Sequence, residues 1–181
     1  MKTYTFTLVL SGFTELREDV EDCLFESGCD DALLSFRDGV PYLDLDRKAK
    51  SIREAILSAI NNVEGADIGA RVIRVEPDEL VTASEIAERT GRTRESIRLL
   101  AAGKRGQGGF PPPLRGMKSR TRLWRWAEVA LWLAEREGDL TDPLVDEAHT
   151  IAAINGALEL RRHAPDSSSY LIKRIAGSSS T

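Results

Sequence analysis

Basic side chains are concentrated in one stretch of the sequence, residues 92–126, where Glu95 is the only acidic residue. Guanidinium and ammonium groups bind phosphate oxygens. A stretch with this large an excess of positive charge is typical of a surface that binds a polyanion. The pattern therefore favours nucleic acid as the partner. Two other interpretations stay open, a solvated basic face and a surface that docks the acidic N-terminal region. The ten basic residues are Arg92, Arg94, Arg98, Lys104, Arg105, Arg115, Lys118, Arg120, Arg122 and Arg125.

The net charge of the whole chain hides this concentration. The 181 residues carry a formal charge of −4, whereas residues 79–126 hold 11 lysines and arginines against four acidic residues. Residues 1–78 hold nine basic and 16 acidic residues, and residues 127–181 hold five basic and nine acidic residues. A chain of 181 residues can form one large domain or two small ones. The break in charge after residue 78 favours two.

Residue types that carry catalysis or bind metal are scarce. Cys23 and Cys29 are the only cysteines, and His149 and His163 are the only histidines, too few for a disulfide framework or a four-ligand zinc site. The sequence contains no glycine-rich phosphate loop that ends in Lys-Ser/Thr, and no Ser-His-Asp or Cys-His arrangement. We therefore expect no catalytic residue, metal or cofactor, and we predict that the protein is not an enzyme.

Targeting signals are also absent from the sequence. No apolar run approaches the roughly 18 residues of a membrane helix. Residues 1–8 alternate threonine with apolar residues, which differs from the continuous apolar region of a signal peptide. We predict a cytoplasmic, nucleoid-associated protein with reduced thiols and no membrane partner.

The N-terminal region, residues 1–78, shows the patterns of a small domain of helices and strands. A capping box at Ser51–Glu54 predicts a helix, and the Asp38-Gly39 pair is a strong signal for a two-residue hairpin. The order β-α-β-β-α-β resembles the ferredoxin-like split β-α-β fold, which hosts many activities and so implies none. The predicted elements are strands at 4–10, 32–36, 40–45 and 71–75 and helices at 13–24 and 52–63.

Residues 79–102 predict two short helices joined by a glycine turn, the pattern of a helix-turn-helix. The capping box Thr82-Ala83-Ser84-Glu85 starts the first helix, and Gly91 supplies the turn. Thr93 caps the second helix, predicted over residues 94–102.

The segment after these helices begins with a loop, because glycines and prolines at 103–113 exclude regular structure. A short basic hairpin is predicted from Leu114 to Trp126, and a helix over residues 127–135. The three tryptophans of this region are expected to fill a small core, with base stacking as the alternative. They are Trp124, Trp126 and Trp132.

Four motifs stand out between residues 80 and 133. They are Leu80-Val81-Thr82-Ala83-Ser84-Glu85-Ile86-Ala87 with Gly91, Ser96-Ile97-Arg98, Gly109-Phe110-Pro111, and Trp124-Arg125-Trp126-Ala127-Glu128-Val129-Ala130-Leu131-Trp132-Leu133. Together they resemble the winged helix-turn-helix of MerR-like and excisionase (AlpA-like) DNA-binding domains. In that family the second helix enters the major groove and the following hairpin forms a wing. The resemblance implies that Arg98 contacts a backbone phosphate and that Ile97 is a core residue.

The predicted DNA-binding residues are assigned to the two kinds of group that duplex DNA presents, base edges and phosphates. Base edges are met near the start of the second helix, where Arg94 pairs with guanine and Glu95 accepts from cytosine. Arg98 and the basic residues of the wing bind phosphate, and the glycine loop brings basic residues toward a minor groove. The nine predicted DNA-binding residues are Thr93, Arg94, Glu95, Arg98, Lys104, Arg105, Lys118, Arg120 and Arg122.

The predicted architecture is α+β, with an N-terminal ferredoxin-like βαββαβ domain, a winged helix-turn-helix domain and a C-terminal helix. Asp142-Pro143 is a helix-start signal, and the helix is predicted to run to Arg162. The expected segments are an acidic domain at 1–78, the DNA-binding domain at 79–138, the helix segment at 139–164 and a flexible tail at 165–181.

These features predict a sequence-specific double-stranded DNA-binding protein, a prokaryotic transcriptional regulator. The alternatives are an excisionase-like architectural or recombination accessory factor and an antitoxin-like adaptor. A homodimer is expected to read two half-sites. The open face of the N-terminal sheet is the favoured dimer surface and the helix at 143–162 the alternative. A protein partner or a small-molecule effector is expected at the N-terminal domain.

Overall fold

The alternating residues near the start of the chain form strand β1, one of the two inner strands of a four-stranded antiparallel sheet. The computed structural model describes residues 1–15, 19–77, 79–114 and 121–163. The sheet order is β2-β3-β1-β4, where β1 is Lys2–Ser11, β2 is Ala32–Arg37, β3 is Val40–Ala49 and β4 is Arg71–Glu76. All four predicted strands are present. The Asp38-Gly39 hairpin is confirmed, and both of its residues adopt positive φ angles.

Helix α2 (Ile52–Gly65) covers the apolar face of this sheet, as the spacing of its apolar residues predicts. Ser51 starts the helix by accepting a hydrogen bond from Glu54 N at 3.2 Å. The buried residues of α2 are Ile52, Ala55, Ile56, Ala59, Ile60 and Val63. The sheet residues buried with them include Phe6, Leu8, Leu10, Leu43 and Leu45.

The first helix is shorter than the sequence predicts. The prediction places Phe13 on a helix over 13–24, but helix α1 is Val20–Glu26. Gly12 has a φ of +107°, and a Cβ there would collide with the Gly69 carbonyl oxygen. The chain therefore turns after β1, and Phe13 packs edge-on against Phe36 with ring centroids 5.9 Å apart.

Strand β3 continues past its predicted end at residue 45 and carries Arg47 onto the buried face of the sheet. Arg47 is 7% exposed and donates two hydrogen bonds to Asp31, at 2.9 and 2.7 Å, and one to Gly28 O at 2.7 Å. These bonds from Arg47 hold the pKa of Asp31 below its ordinary value. A buried guanidinium in this position is tolerated because its hydrogen atoms have acceptors.

The outer edge of β4 is closed by side chains rather than by another strand. Asn155 accepts from Val75 N at 2.7 Å and donates to Val75 O at 2.9 Å. Glu64 accepts from Val72 N at 3.0 Å, and Arg161 donates to Val72 O at 2.8 Å. Asn155 and Arg161 belong to helix α6, Pro143–His163. These bonds occupy backbone groups that would otherwise offer an edge for strand pairing.

The remaining elements follow β4 along the chain. They are β5 (Leu80–Val81), α3 (Ala83–Arg89), α4 (Arg94–Ala101), β6 (Trp124–Arg125) and α5 (Trp126–Glu137). Their common core contains Ile86, Ile97 and the three tryptophans, which are 3–7% exposed. The prediction that the tryptophans pack in a core is therefore confirmed.

The chain divides into two compact units. The first unit comprises Met1–Pro77 and the chain from Ala153 onward, and the second comprises Asp78–Ala152. The first division lies one residue before the predicted break at 78/79. Helix α6 crosses the second division, and the segment at 165–181, predicted to be a flexible tail, lies outside the described residues. Within the described part of the chain, no helix has both the length and the apolar character that a membrane crossing requires.

Replacement of Asn155 by alanine is expected to weaken the β4 edge. The Asn155→Ala variant leaves Val75 N–H and C=O without their side-chain partner, a loss of about 1–3 kcal/mol in local stability. Hydrogen exchange measures this directly, and the Val75 amide should exchange roughly tenfold or more faster than in the parent protein. Glu159→Ala, at an exposed position of the same helix, is the control. Unchanged exchange at Val75 in Asn155→Ala would contradict this assignment.

The bonds between Arg47 and Asp31 predict a dependence of stability on pH. Because folding lowers the pKa of Asp31, its carboxylate stabilises the fold above the unfolded pKa of about 3.9, and this contribution is lost as pH falls through the lower folded pKa. Urea unfolding of the parent and of Asp31→Asn between pH 3 and pH 7 measures the effect. The parent should gain stability with pH more steeply than the variant. If the free energies of unfolding of the parent and the variant depended on pH in the same way, the Arg47–Asp31 pair would not contribute to the pH dependence of stability.

Candidate nucleic-acid interface

Side-chain caps fix where the two short helices of the second unit begin. Thr82 and Glu85 form the predicted capping box, in which Thr82 accepts from Glu85 N at 3.3 Å and Glu85 accepts from Thr82 N at 2.6 Å. The bond from the Thr82 backbone lowers the pKa of Glu85. Thr93 Oγ1 accepts from Ser96 N at 3.1 Å and so starts α4. The Thr93 hydroxyl hydrogen remains available to donate to a ligand.

Helix α4 has one buried face and one exposed face. Ile97 and Leu100 are 0% and 7% exposed and point into the core of the second unit. Arg94, Glu95 and Arg98 are all exposed. Arg98 Nη1 lies 3.6 Å from Glu95 Oε2, and these two side chains are 65% and 68% exposed. The face of α4 that points away from the core therefore carries the charged side chains.

A groove of about 430 Å³ runs beside this exposed face, and we call it the α4 groove. It is bounded by the start of α3, by α4 and the residues after it, and by the segment that enters β6. Five of the nine predicted residues line it, namely Arg94, Glu95, Arg98, Lys104 and Arg122. Its other lining residues are Thr82, Ala83, Ser84, Leu99, Ala101, Ala102, Thr121 and Trp124. The groove thus brings four basic side chains and one acidic side chain together.

Some of the clustered basic residues that the structure describes have partners within the second unit. Arg92 forms an ion pair with Glu137, and Arg125 forms one with Glu79. These two arginines are therefore engaged within the second unit. Arg105 does not line the groove, and its Nη1 donates to Ser96 Oγ at 3.2 Å.

The glycine loop at 103–109 is held in place from the side of α5. Arg136 stacks on Trp132, with its guanidinium carbon 3.7 Å from the ring centroid, and donates to Gly108 O at 2.5 Å. Phe110 packs edge-on against Trp132 and Trp124, with centroids 4.9 and 6.0 Å apart. Sequence reasoning missed Arg136, although its position four residues after Trp132 on a helix is a usable signal.

The predicted basic hairpin at 114–126 is only partly as expected. Leu114 N donates to Leu123 O at 2.8 Å, which brings the two ends of the intervening segment together. Strand β6 pairs with β5, with Trp124 opposite Val81, a pairing that the sequence did not predict. Residues 115–120 lie outside the described part of the chain, and with them the predicted site residues Lys118 and Arg120.

The thiol of Cys29 is buried, and burial raises its pKa, which disfavours the reactive thiolate. Among the described residues, no group of three His, Cys, Asp or Glu side chains is arranged to hold a metal ion. The α4 groove brings four basic side chains together, an arrangement that is complementary to an anion.

Replacement of Arg136 by alanine is expected to release the glycine loop. The Arg136→Ala variant removes the stacking on Trp132 and the bond to Gly108 O, a loss of about 1–2 kcal/mol. Amide hydrogen exchange across residues 103–110 should accelerate, and the fluorescence of the buried tryptophans should shift. Glu135→Ala, at the neighbouring exposed position, serves as the control. Equal protection of the loop in both variants would contradict the role of Arg136.

Comparisons with known proteins give no match for this chain. No protein-family model, no curated protein and no solved structure is detectably similar to it. The function of the α4 groove is therefore argued from its geometry and charge.

Proposed function

We propose that the second unit binds double-stranded DNA and that the protein is a sequence-specific regulator of transcription. The α4 groove carries this proposal, because Arg94 and Arg98 on the exposed face of α4 share it with two further basic side chains, Lys104 and Arg122. An α-helix with its side chains is about 10–12 Å in diameter, and the major groove of B-DNA is about 12 Å wide. Helix α4 can therefore lie in the major groove with its charged face toward the bases.

The positions of the basic residues support separate roles in binding. Arg94 begins α4, where recognition helices meet base edges, and its guanidinium suits the two acceptors of guanine. Arg98 lies one turn further on the same face and is placed for a phosphate. Lys104 and Arg122 supply charge from the two sides of the groove. Lys118 and Arg120 stay predicted phosphate contacts.

The order of elements supports a winged helix-turn-helix as the fold of this unit. Two capped helices meet at Gly91, which has a φ of +63°, and β6 then leads into α5. The same order underlies the resemblance to MerR-like and excisionase-like domains. In such an arrangement the segment closed by Leu114 and Leu123 corresponds to the wing.

We further propose that the first unit has the ferredoxin-like fold and serves assembly or sensing. Its strand order β2-β3-β1-β4, with helices after β1 and β3, supports that fold. One short recognition helix reads few bases, so a homodimer with two half-sites is the expected binding form. The open sheet face is more polar than its Thr and Val residues suggest, since Thr5 and Thr7 donate to Asp46 and Asp44 at 2.6 and 2.5 Å.

Alanine variants of Arg94 and Arg98 test the proposal with the full chain. A duplex is first selected from a random pool, and binding is then measured across a salt series. Arg94→Ala should cost about 1–3 kcal/mol at one base position and relax the preference there. Arg98→Ala should weaken binding to all sequences alike and lower the salt slope by about 1.

A charge-matched control accompanies these variants. Arg53→Ala removes the same charge from an exposed position of α2 in the first unit, and it should bind DNA as the parent does. If all three variants bind equally at every salt concentration, the α4 groove is not the DNA-binding surface.

A further inference from the structure

Glu95 is the one acidic side chain among the described residues that line the α4 groove. Four basic side chains share the groove with it, and its carboxylate is well exposed beside Arg98, 3.6 Å away. The acid of the preceding helix, Glu85, has a structural task because it closes a capping box. For α4 the cap is formed by Thr93, and Glu95 is not part of it.

We propose that Glu95 determines base specificity by penalising DNA that offers its carboxylate no hydrogen-bond donor. The matching partner is a base whose exocyclic amino group lies directly opposite Glu95 in the major groove, such as cytosine with N4 or adenine with N6. In the inverted base pair, guanine O6 or thymine O4 takes that position. This inference rests on the proposed binding of DNA by the α4 groove. It goes beyond that function because it assigns the residue that rejects the wrong sequence.

The penalty follows from the chemistry of an ionised carboxylate, which accepts hydrogen bonds and donates none. Opposite a cytosine amino group, Glu95 receives a charge-assisted hydrogen bond that replaces its lost water. Opposite the carbonyl oxygen of guanine or thymine, it meets an acceptor and loses water without compensation. Nearby phosphates add electrostatic repulsion in both cases, and only the amino group offsets that cost.

Arg98 links this selection to phosphate binding. In the free protein the positive charge of Arg98 lies beside the Glu95 carboxylate and partly offsets the negative electrostatic potential of that carboxylate. When Arg98 turns to a phosphate, Glu95 loses this neighbour and needs another donor. The penalty on a wrong sequence is therefore largest in the tightly bound complex, where recognition takes place.

A purely structural role of Glu95 makes a different prediction. An acidic residue in the first turn of a helix is stabilised by the helix dipole, and Glu95 occupies that turn of α4. If this were its whole contribution, neutralising it would lower the stability of the second unit and leave sequence preference unchanged. Sequence preference is thus the readout that separates the two roles.

The experiment compares Glu95→Gln with Glu128→Gln in the full chain. Glu128 is also exposed in the first turn of a helix of the second unit, but it does not line the α4 groove. Both variants remove one negative charge. Fluorescence anisotropy measures binding to a selected duplex, to a random duplex, and to selected duplexes in which each base pair of the site is inverted in turn, so that a carbonyl oxygen replaces the amino group at that position.

Glu95→Gln is expected to bind random duplex roughly three- to tenfold more tightly, since one repulsion of a carboxylate by phosphate is removed. Its preference for selected over random duplex should fall about tenfold, and one base-pair inversion should lose most of its effect. Glu128→Gln should change both affinities by less than about twofold.

Two results would overturn the inference, and they are distinguishable. If Glu95→Gln changes selected and random affinities by the same factor, Glu95 does not determine specificity, while DNA binding by the groove stands. If the parent protein binds no duplex in a salt-dependent manner, the proposed function fails and this inference fails with it.

Discussion

The burial of Ile97 in the tryptophan core is the constraint on which the second unit depends. Ile97 is fully buried in one cluster with Trp124, Trp126 and Trp132, and this fixes the rotation of α4 about its axis. Residues one and two positions away from Ile97 point away from the core, because successive side chains of a helix are about 100° apart. Arg98 and Glu95 are exposed for this reason, and Arg94 is exposed at the first position of the helix. An apolar contact thus orients the charged face.

Local signals in the sequence predicted much of this architecture. The caps at Thr82 and Thr93, the Asp38-Gly39 turn and the strand alternation each depend on residues a few positions apart, so their patterns are visible in the sequence. The limits of the prediction appear at Gly12, which has a positive φ after the first strand and leaves no room for a Cβ beside the carbonyl oxygen of the distant Gly69. An apolar residue after such a glycine mimics the start of a helix.

Contacts between distant residues were not predictable in the same way. Arg47 bonds to Asp31 across two strands, Asn155 bonds to Val75 at a separation of 80 residues, and Arg136 reaches Gly108 from α5. Each is a polar side chain that satisfies a backbone or carboxylate group, and nothing in the neighbouring sequence marks its partner. For the site, the sequence predicted which residues are basic, but the structure was needed to show that Arg92 and Arg125 are engaged in ion pairs within the unit.

The proposed interface with double-stranded DNA comprises the exposed face of α4 and the α4 groove. Backbone amide NMR of the labelled full chain, titrated with a duplex selected from a random pool, locates the residues that contact DNA. We expect the largest chemical-shift changes at residues 93–98, at Lys104 and at residues 121–122, and small changes on the sheet of the first unit. Changes confined to that sheet, or no changes at all, would show that the α4 groove does not bind DNA.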